Sequence, residues 1–165
     1  MITIDIISKS KKWKDHEKFI AQTCKKIIPL TDLNKILKKN ISLEVSISLV
    51  LDREMQKLNY TFRSKNKPTN VLSFPAVDAM SLKKLSKIDY LFLGDIIIAF
   101  ETVKKESLTQ KKSFEDHLTH LILHSISHLI GFDREDDKMA EIMEKLEIKI
   151  LKKLKIKNPY IERTA

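Results

Sequence analysis

The segment from Ser113 to Ile130 constrains the fold of this chain more than any other part of its sequence. It has the clearest helical pattern in the chain, and it is followed directly by Gly131, a residue that commonly ends helices. Four of the 5 histidines in the chain fall in this segment, at positions 117, 120, 124 and 128. At about 100° per residue, their imidazoles occupy an arc of roughly 80°. The segment therefore predicts one long helix with four imidazoles on a single face.

Strand-like and helix-like patterns alternate along the chain. Predicted strands, which alternate apolar and polar residues or are rich in β-branched residues, cover residues 1–7, 42–51, 70–74 and 90–98. The last of these strands is expected to bend or end near Gly94. Predicted helices cover residues 14–28, 31–37, 52–60, 99–109 and 113–130, and a last amphipathic helix covers 139–154. Asp52 is the expected N-cap of the third helix.

The size and composition of the chain indicate an ordinary globular protein. A chain of 165 residues buries roughly 70% of its unfolded surface, so a core forms without disulfides. A lone cysteine, Cys24, excludes an internal disulfide framework and favours a reducing compartment. No apolar run reaches the roughly 18 residues of a membrane span, and Asp5 is acidic where a signal peptide would be basic. We predict a single α/β (α+β) domain over residues 1–165, cytoplasmic and without a membrane partner.

The charge of the chain favours a polyanionic partner. Its 31 Lys and Arg against 22 Asp and Glu leave a formal net charge of +9. A surplus of this size favours nucleic acid or anionic lipid. The alternative is a Lys- and Ile-rich, Gly-poor amino-acid usage, with 2 Gly in the whole chain, that charges the surface without any partner. Charge alone leaves these two interpretations even.

His124 and His128 have the spacing of a metal-binding pair. Residues four apart on a helix lie about 5–6 Å apart at Cβ, which allows two imidazoles to bind one ion. The alternative is a pair of partly buried histidines that hydrogen-bond to their neighbours, although four histidines on one face favour the metal. Position 125 is Ser instead of the Glu of the H-E-x-x-H metalloprotease motif, so the general base of that class is missing. The pattern therefore disfavours a zincin peptidase.

Three blocks of the sequence resemble, in the same order, the signature blocks of the YbeY endoribonuclease family. Residues 124–134, HSISHLIGFDR, are similar to its His-Gly-x-Leu-His-Leu-x-Gly-Tyr/Phe-Asp-His signature. Residues 60–75, YTFRSKNKPTNVLSFP, are similar to its Tyr-Arg-x-Lys-Asp-x-Pro-Thr-Asp/Asn-Val-Leu-Ser-Phe segment, with two residues between Tyr60 and Arg63 where the family has none. Residues 93–98, LGDIII, are similar to its Leu-Gly-Asp-Ile-x-Ile strand.

This resemblance implies a fold and a function. The fold is a short mixed β-sheet packed with helices, with the metal-site helix near the C-terminus. The function is that of a metal-dependent endoribonuclease, a hydrolase that cleaves single-stranded RNA in ribosomal RNA maturation and ribosome quality control. By position, His124 and His128 correspond to ligands of one zinc ion, and Arg63 corresponds to a basic residue that acts at the site. The implied partner is RNA, in the ribosome or its small subunit, and no DNA is expected.

The chain departs from the family pattern at the third histidine, which falls on Arg134. A guanidinium group is a permanent cation without an acceptor, so it cannot bind a metal ion, whereas a catalytic zinc normally has three protein ligands. Candidate substitutes are His120, one turn earlier on the same face, and the acidic residues that follow Gly131, namely Asp133, Glu135, Asp136 and Asp137. A carboxylate ligand would shift the preference from zinc toward Mn²⁺ or Mg²⁺.

The basic loop after residue 60 supplies the predicted RNA contacts. Arg63 would stabilise the charge that develops on the phosphorane, and Lys65 and Lys67 would bind phosphates from a loop that Pro68 restrains. Two other functions stay open. One is a non-catalytic RNA- or ribosome-binding assembly factor with a degenerate metal site, and the other is a small-molecule metal hydrolase.

Overall fold

The computed structural model describes residues 1–78, 88–132 and 136–160, which form an α+β fold. The strands are β1 (Ile2–Ser8), β2 (Ser42–Val50), β3 (Val71–Pro75) and β4 (Tyr90–Ala99). The α-helices are α1 (Glu17–Ile27), α2 (Asn34–Leu37), α3 (Asp52–Arg63), α4 (Phe100–Thr109), α5 (Phe114–Leu129) and α6 (Asp137–Lys153). Short 3₁₀ helices at Lys11–His16 and Ile28–Leu30 flank α1. The predicted order of strands and helices is confirmed.

The strands form one mixed sheet in the order β1-β2-β4-β3. β1, β2 and β4 are parallel, and β3 pairs antiparallel with β4, so β3 is an edge strand of the described sheet. Along β2, every second side chain is buried and those between are half-buried, because successive side chains of a strand point to opposite faces. The short mixed sheet that the resemblance implied is therefore confirmed.

Helices pack on both faces of this sheet. α5 packs against β3, α1 and α4, and its apolar side chains join those of the strands in the main core. α3 packs on the other face, where Met55 contacts a smaller cluster that includes Leu72 and Ala99. Cys24 lies fully buried in the main core, and burial raises the pKa of its thiol to about 12. No helix in the described ranges is both long and apolar enough to cross a bilayer.

The residues that flank α5 fix its two ends. Ser113 is the N-cap, and its hydroxyl accepts a hydrogen bond at 3.0 Å from the backbone N–H of Asp116, which satisfies a donor that the helix leaves unpaired. Gly131 follows the C-cap with a φ of +107°, a conformation that glycine adopts at little cost. Its N–H donates to the carbonyl of His128 at 3.1 Å. The helix predicted from Ser113 to Ile130 is confirmed.

Asp52 does not cap its own helix, so that prediction was wrong. The N-cap of α3 is Leu51, without a side-chain cap. The Asp52 carboxylate instead accepts hydrogen bonds from the N–H and hydroxyl of Thr102 in α4, at 3.0 and 2.8 Å. In return, the Glu101 carboxylate accepts from the N–H of Asp52 at 3.0 Å. The N-termini of α3 and α4 therefore cap each other across 50 residues of sequence, which local spacing does not reveal.

A β-bulge at Gly94 brings β4 close to β3 and to the end of α5. The register between β2 and β4 shifts beside Gly94, which has a φ of +143°. A Cβ at this position would lie 2.2 Å from the carbonyl oxygen of Phe74 and 3.0 Å from the side chain of Leu129. Glycine is therefore required here, and the bend predicted near this residue is confirmed.

Gly94→Ala is expected to destabilise the fold by about 3 kcal/mol, because it combines a strained φ with a clash that only backbone movement relieves. Urea unfolding followed by circular dichroism measures the loss. Asp95→Ala is the matched control, because Asp95 is exposed on the same strand and its removal should change the free energy of unfolding by less than about 0.5 kcal/mol. Equal stability of the Gly94 variant and the wild type would contradict the close approach of β4 to β3.

Candidate metal centre

A cleft of about 620 Å³ lies between the edge strand β3, the helix α5 and the last turn of α3. Residues 69–74 line one side, and Arg63 lines it at the end of α3. The four histidines of α5 line the opposite side, as their predicted common face requires: His117, His120, His124 and His128. The structure therefore brings the two predicted metal ligands and the predicted catalytic arginine to one cleft.

His124 and His128 direct their Nε2 atoms toward each other. These two atoms are 3.1 Å apart, and the ring planes are inclined at 81° with centroids 4.6 Å apart. Two imidazoles on one tetrahedral zinc, with Zn–N bonds of about 2.0–2.1 Å, place their nitrogens roughly 3.3 Å apart. The observed separation therefore fits a shared zinc ion. Imidazole nitrogens also suit zinc better than Mg²⁺, which prefers oxygen ligands.

A buried carboxylate determines which ring nitrogen of His124 carries the proton. The other nitrogen, which faces His128, is then unprotonated. Glu147, in α6, has no exposed surface, and its Oε1 lies 2.7 Å from Nδ1 of His124. An ionised carboxylate only accepts hydrogen bonds, so Nδ1 of His124 carries the proton and donates it. The Nε2 of neutral His124 then presents its lone pair toward His128. This carboxylate–histidine arrangement is typical of histidines that bind metals.

Glu147 also anchors two other side chains in the interior. Its Oε2 lies 3.2 Å from Nε2 of His120 and accepts a hydrogen bond from the hydroxyl of Tyr160. Burial by itself would raise the pKa of the Glu147 carboxyl, but the hydrogen bonds from His120 and His124 outweigh it and lower the pKa to about 2. Burial lowers the pKa of the His120 imidazole, against the opposing effect of the Glu147 carboxylate. Glu147 is therefore ionised in the folded protein near neutral pH.

The described residues do not place a third metal ligand beside His124 and His128. Across residues 1–78, 88–132 and 136–160, no group of three His, Cys, Asp or Glu side chains is arranged to hold a metal ion. His120 uses its Nε2 for Glu147, and Asp137 is exposed as the first residue of α6. Asp133, Arg134 and Glu135 lie outside the described residues. A third ligand from Asp133, Asp137 or His120 therefore stays a prediction.

Asp136, the remaining acidic candidate, has a structural role in the described fold. It is the N-cap of α6, and its Oδ1 accepts hydrogen bonds from the N–H groups of Lys138 and Met139 at 3.0 and 3.2 Å. Such a cap stabilises a helix by about 1 kcal/mol. The negative charge of the same carboxylate also interacts favourably with the positive end of the helix dipole. Asp136 therefore fixes where α6 begins.

A second histidine–carboxylate pair lies in the same cleft, nearer the start of α5. The Nε2 of His117 is 2.9 Å from Oε1 of Glu106, and the Nδ2 of Asn70 donates to the same oxygen at 3.0 Å. Burial would raise the pKa of the Glu106 carboxyl, but the hydrogen bonds from His117 and Asn70 lower it. His117 therefore ties α5 to α4 and, through Glu106, to the start of β3, whereas the Nε2 atoms of His124 and His128 converge on each other.

The predicted RNA-contacting residues follow one another at the end of α3. Arg63 is the last residue of the helix, exposed and directed to the cleft lining. Ser64 ends the helix with a φ of +57°, and Lys65 and Lys67 are exposed in the loop that follows. The buried side chain of Asn59 donates to the carbonyl of Lys67 at 2.8 Å and fixes this loop. Arg63 thus joins the histidines, and the two lysines lie on the surface beside it.

Sequence reasoning missed Glu147 and Tyr160. Glu147 lies on the inward face of α6 with Met143 and Ile150, so a carboxylate at helical spacing within an apolar stripe is the signal that marks it. Tyr160 lies beyond the end of α6 and meets Glu147 only through the tertiary path of the chain. No local pattern identifies such a residue.

The fold is similar to that of a solved structure. The solution structure of TM1509 from Thermotoga maritima matches with a TM-score of 0.55 and 24% sequence identity, over 94% of this chain and 92% of that chain. At this level of identity the match shows a shared fold. The chain is thus an α+β protein of that fold, with a histidine pair on its central helix suited to a metal ion.

Sequence comparisons identify the family. The family model described as Endoribonuclease YbeY matches residues 5–155. The Endoribonuclease YbeY of Bartonella henselae is 45% identical over 162 residues, which cover 98% of this chain and 99% of that protein. The Endoribonuclease YbeY of Buchnera aphidicola is 44% identical over 131 residues, which cover 78% of this chain and 80% of that protein. The chain therefore belongs to the endoribonuclease YbeY family, and the resemblance seen in its sequence blocks is confirmed.

Proposed function

We propose that this chain cleaves single-stranded RNA with the help of one metal ion bound by His124 and His128. As a member of the YbeY family, the chain is an endoribonuclease. The observation that carries the metal proposal is the pair of Nε2 atoms 3.1 Å apart. The carboxylate of Glu147, 2.7 Å behind His124, supports it. Zinc is the ion that this donor set suits best.

The residues of the cleft have different roles in the proposed phosphodiester hydrolysis. A zinc ion bound here would supply Lewis-acid chemistry, which activates water and polarises phosphoryl oxygens. His124 and His128 would hold the ion through the unprotonated Nε2 atoms of their rings, and the hydrogen bond to Glu147 favours the tautomer of His124 that this requires. Arg63 lines the same cleft, and its planar, permanently charged guanidinium binds phosphate oxygens. Arg63 therefore stabilises the charge that develops on the scissile phosphate.

We propose that Asp133, Asp137 or His120 completes the metal site. Asp133 is the first candidate, because a carboxylate completes a two-histidine, one-carboxylate set of a kind found in catalytic zinc sites. Asp137 at the start of α6 and His120 on α5 are the other candidates. An oxygen ligand would also make Mn²⁺ or Mg²⁺ a better competitor for the site. Arg134, which the resemblance aligns with the family's third histidine, would instead add a repelling cation.

We propose ribosomal RNA, in the ribosome or its small subunit, as the substrate. The activity then belongs to ribosomal RNA maturation and ribosome quality control in the cytoplasm. The formal net charge of +9 supports a polyanionic substrate. Lys65 and Lys67, exposed beside Arg63, support an entry path for the phosphate backbone.

A non-catalytic RNA- or ribosome-binding factor is the second candidate function. Two points favour it: the resemblance aligns Arg134 with the family's third histidine, and no group of three possible metal ligands converges within the described residues. A catalytic zinc with two protein ligands would bind weakly. The two candidates differ in one measurable property, which is whether the purified, metal-loaded protein cleaves RNA.

Arg63→Ala is expected to lower the kcat of RNA cleavage by about 100-fold or more while changing RNA binding little, because its charge acts on the transition state. Lys67→Ala is expected to weaken binding and to reduce the salt slope of the binding constant by about one phosphate contact. Single-turnover cleavage and fluorescence anisotropy at several salt concentrations measure the two effects. Lys152→Ala, exposed on α6, is the control and should change neither. An unchanged cleavage rate in the Arg63 variant would remove Arg63 from the mechanism.

A further inference from the structure

We propose that α3 and the loop that follows it carry a second RNA-binding site outside the cleft, where unpaired bases of single-stranded RNA stack on Phe62 and Tyr60. The proposal rests on the proposed function, because it takes the RNA that occupies the cleft as its ligand. It extends that function by assigning a path for the strand beyond the reacting phosphate. It is based on two exposed aromatic rings and on a second cavity, whose described lining residues include two cations and no carboxylate.

Two aromatic side chains are exposed at the end of α3. Tyr60 is 60% exposed and Phe62 is 61% exposed. Residues two apart on a helix point roughly 200° apart, so the two rings lie on opposite sides of this turn. Phe62 packs against Phe74, with ring centroids 5.1 Å apart and planes inclined at 59°. Phe74 lines the cleft, so Phe62 stands at the rim of the cleft and exposes most of its own surface.

Tyr60 lines a second cavity of about 410 Å³ on the other side of the same turn. The other residues of its lining are Arg53, Gln56, Lys57, Thr61 and Asn66. Two of these side chains are cations, the others are polar, and none of the described lining residues is a carboxylate. A groove that combines an exposed aromatic ring with unopposed cations suits the bases and the phosphates of one nucleic-acid strand together.

Hydrogen bonds between α3 and the following loop build the wall of this second cavity. The side-chain amide of Gln56 donates to Oδ1 of Asn66 at 3.1 Å. The amide of Asn59, 1% exposed, donates to the carbonyl of Lys67 at 2.8 Å. The loop that contributes Asn66 to this cavity is therefore held in place before any ligand arrives. A preformed wall lowers the conformational entropy that binding costs.

Single-stranded RNA fits this surface better than a duplex or a protein. Bases in a duplex are already stacked on each other, so they offer no faces to Phe62 and Tyr60. An apolar protein surface would cover the rings but would bury Arg53 and Lys57 without counter-charges, which is costly. A single strand supplies ring faces and phosphates at once, and base–aromatic stacking tolerates any sequence.

The test compares short and long RNA ligands. Fluorescence anisotropy measures the binding of single-stranded oligonucleotides of about 4 and about 16 nucleotides, which span the usual site sizes of such surfaces. Tyr60→Ala is expected to weaken binding of the long RNA by about tenfold and of the short RNA little, and Tyr60→Phe should retain full affinity because the ring remains. Lys57→Ala should lower the salt slope for the long RNA by about one. Cleavage of the short RNA should be unchanged in all three variants.

Tyr90→Ala is the matched control, because Tyr90 is 52% exposed but bonds to the carboxylate of Glu44 and lines neither cavity among the described residues. It should bind both RNAs like the wild type. If the Tyr60→Ala variant still cleaves RNA and binds the long RNA as tightly as the wild type, this second site is overturned. The proposed function then remains intact. Equal losses on a long duplex would show a phosphate contact without stacking and would also overturn it. Failure of the wild type to bind or cleave either RNA would overturn the proposed function itself.

Discussion

We expect His124→Ala and His128→Ala each to remove bound zinc and RNA cleavage together. The two Nε2 atoms are 3.1 Å apart and point at each other, so one ion would bind both nitrogens at once. Removal of either leaves at most one imidazole and whatever ligand the segment after Gly131 supplies. A zinc site with one ligand fewer loses far more affinity than the 10–100-fold typical of a lost supporting residue.

Zinc titration by calorimetry and single-turnover RNA cleavage measure these two losses side by side. His16→Ala is the matched control, because His16 is the one histidine outside α5 and packs against Phe114 instead of the cleft. It should retain both zinc and activity. Retention of about one zinc equivalent by the double variant of His124 and His128 would place the metal elsewhere.

Glu147→Gln is expected to weaken zinc binding by about 10–100-fold while leaving the fold in place. The carboxylate of Glu147 accepts hydrogen bonds from His124, His120 and Tyr160 in a fully buried setting. A neutral amide of the same size no longer fixes the proton on Nδ1 of His124, so the Nε2 lone pair is no longer preferred. The imidazole also loses an anionic neighbour that raises its basicity.

A spectroscopic measurement and a control variant distinguish this positioning role from a simple loss of fold stability. Nitrogen chemical shifts of His124 report its tautomer, and they should show a proton on Nδ1 in the wild type and a mixture in Glu147→Gln. Tyr160→Phe is the matched control, since it removes one hydrogen bond to Glu147 but keeps the carboxylate and both histidine contacts. It should change zinc affinity by less than Glu147→Gln does. Wild-type zinc affinity in Glu147→Gln would show that the carboxylate only fills space.

Local patterns predicted the elements of the fold well, because the ends and faces of these helices and strands depend on nearby residues. Ser113 and Gly131 bound α5 through their own backbone and cap preferences. The common face of the histidines follows from helix geometry alone. The Asp52 prediction failed for the opposite reason. Its carboxylate accepts hydrogen bonds from the N-terminus of α4 instead of that of α3. This depends on how the two helix ends pack together, which local sequence does not show.

The candidate site was predictable in part. His124, His128 and Arg63 reach one cleft, and sequence blocks were enough to single them out. Glu147 was missed because a carboxylate on an amphipathic helix is usually solvated, and its burial depends on where α6 packs. Asp133 and Arg134 lie outside the described residues. The completion of the metal site therefore remains a prediction based on the sequence.

The most direct test of the proposed function is the metal content of the purified protein, measured by mass spectrometry together with cleavage of single-stranded RNA. The protein is assayed as purified, after removal of metal by a chelator, and after return of zinc. We predict about one zinc per chain, loss of cleavage when the metal is removed, and recovery when zinc is returned. Undiminished cleavage by the metal-free protein would contradict the metal-dependent mechanism.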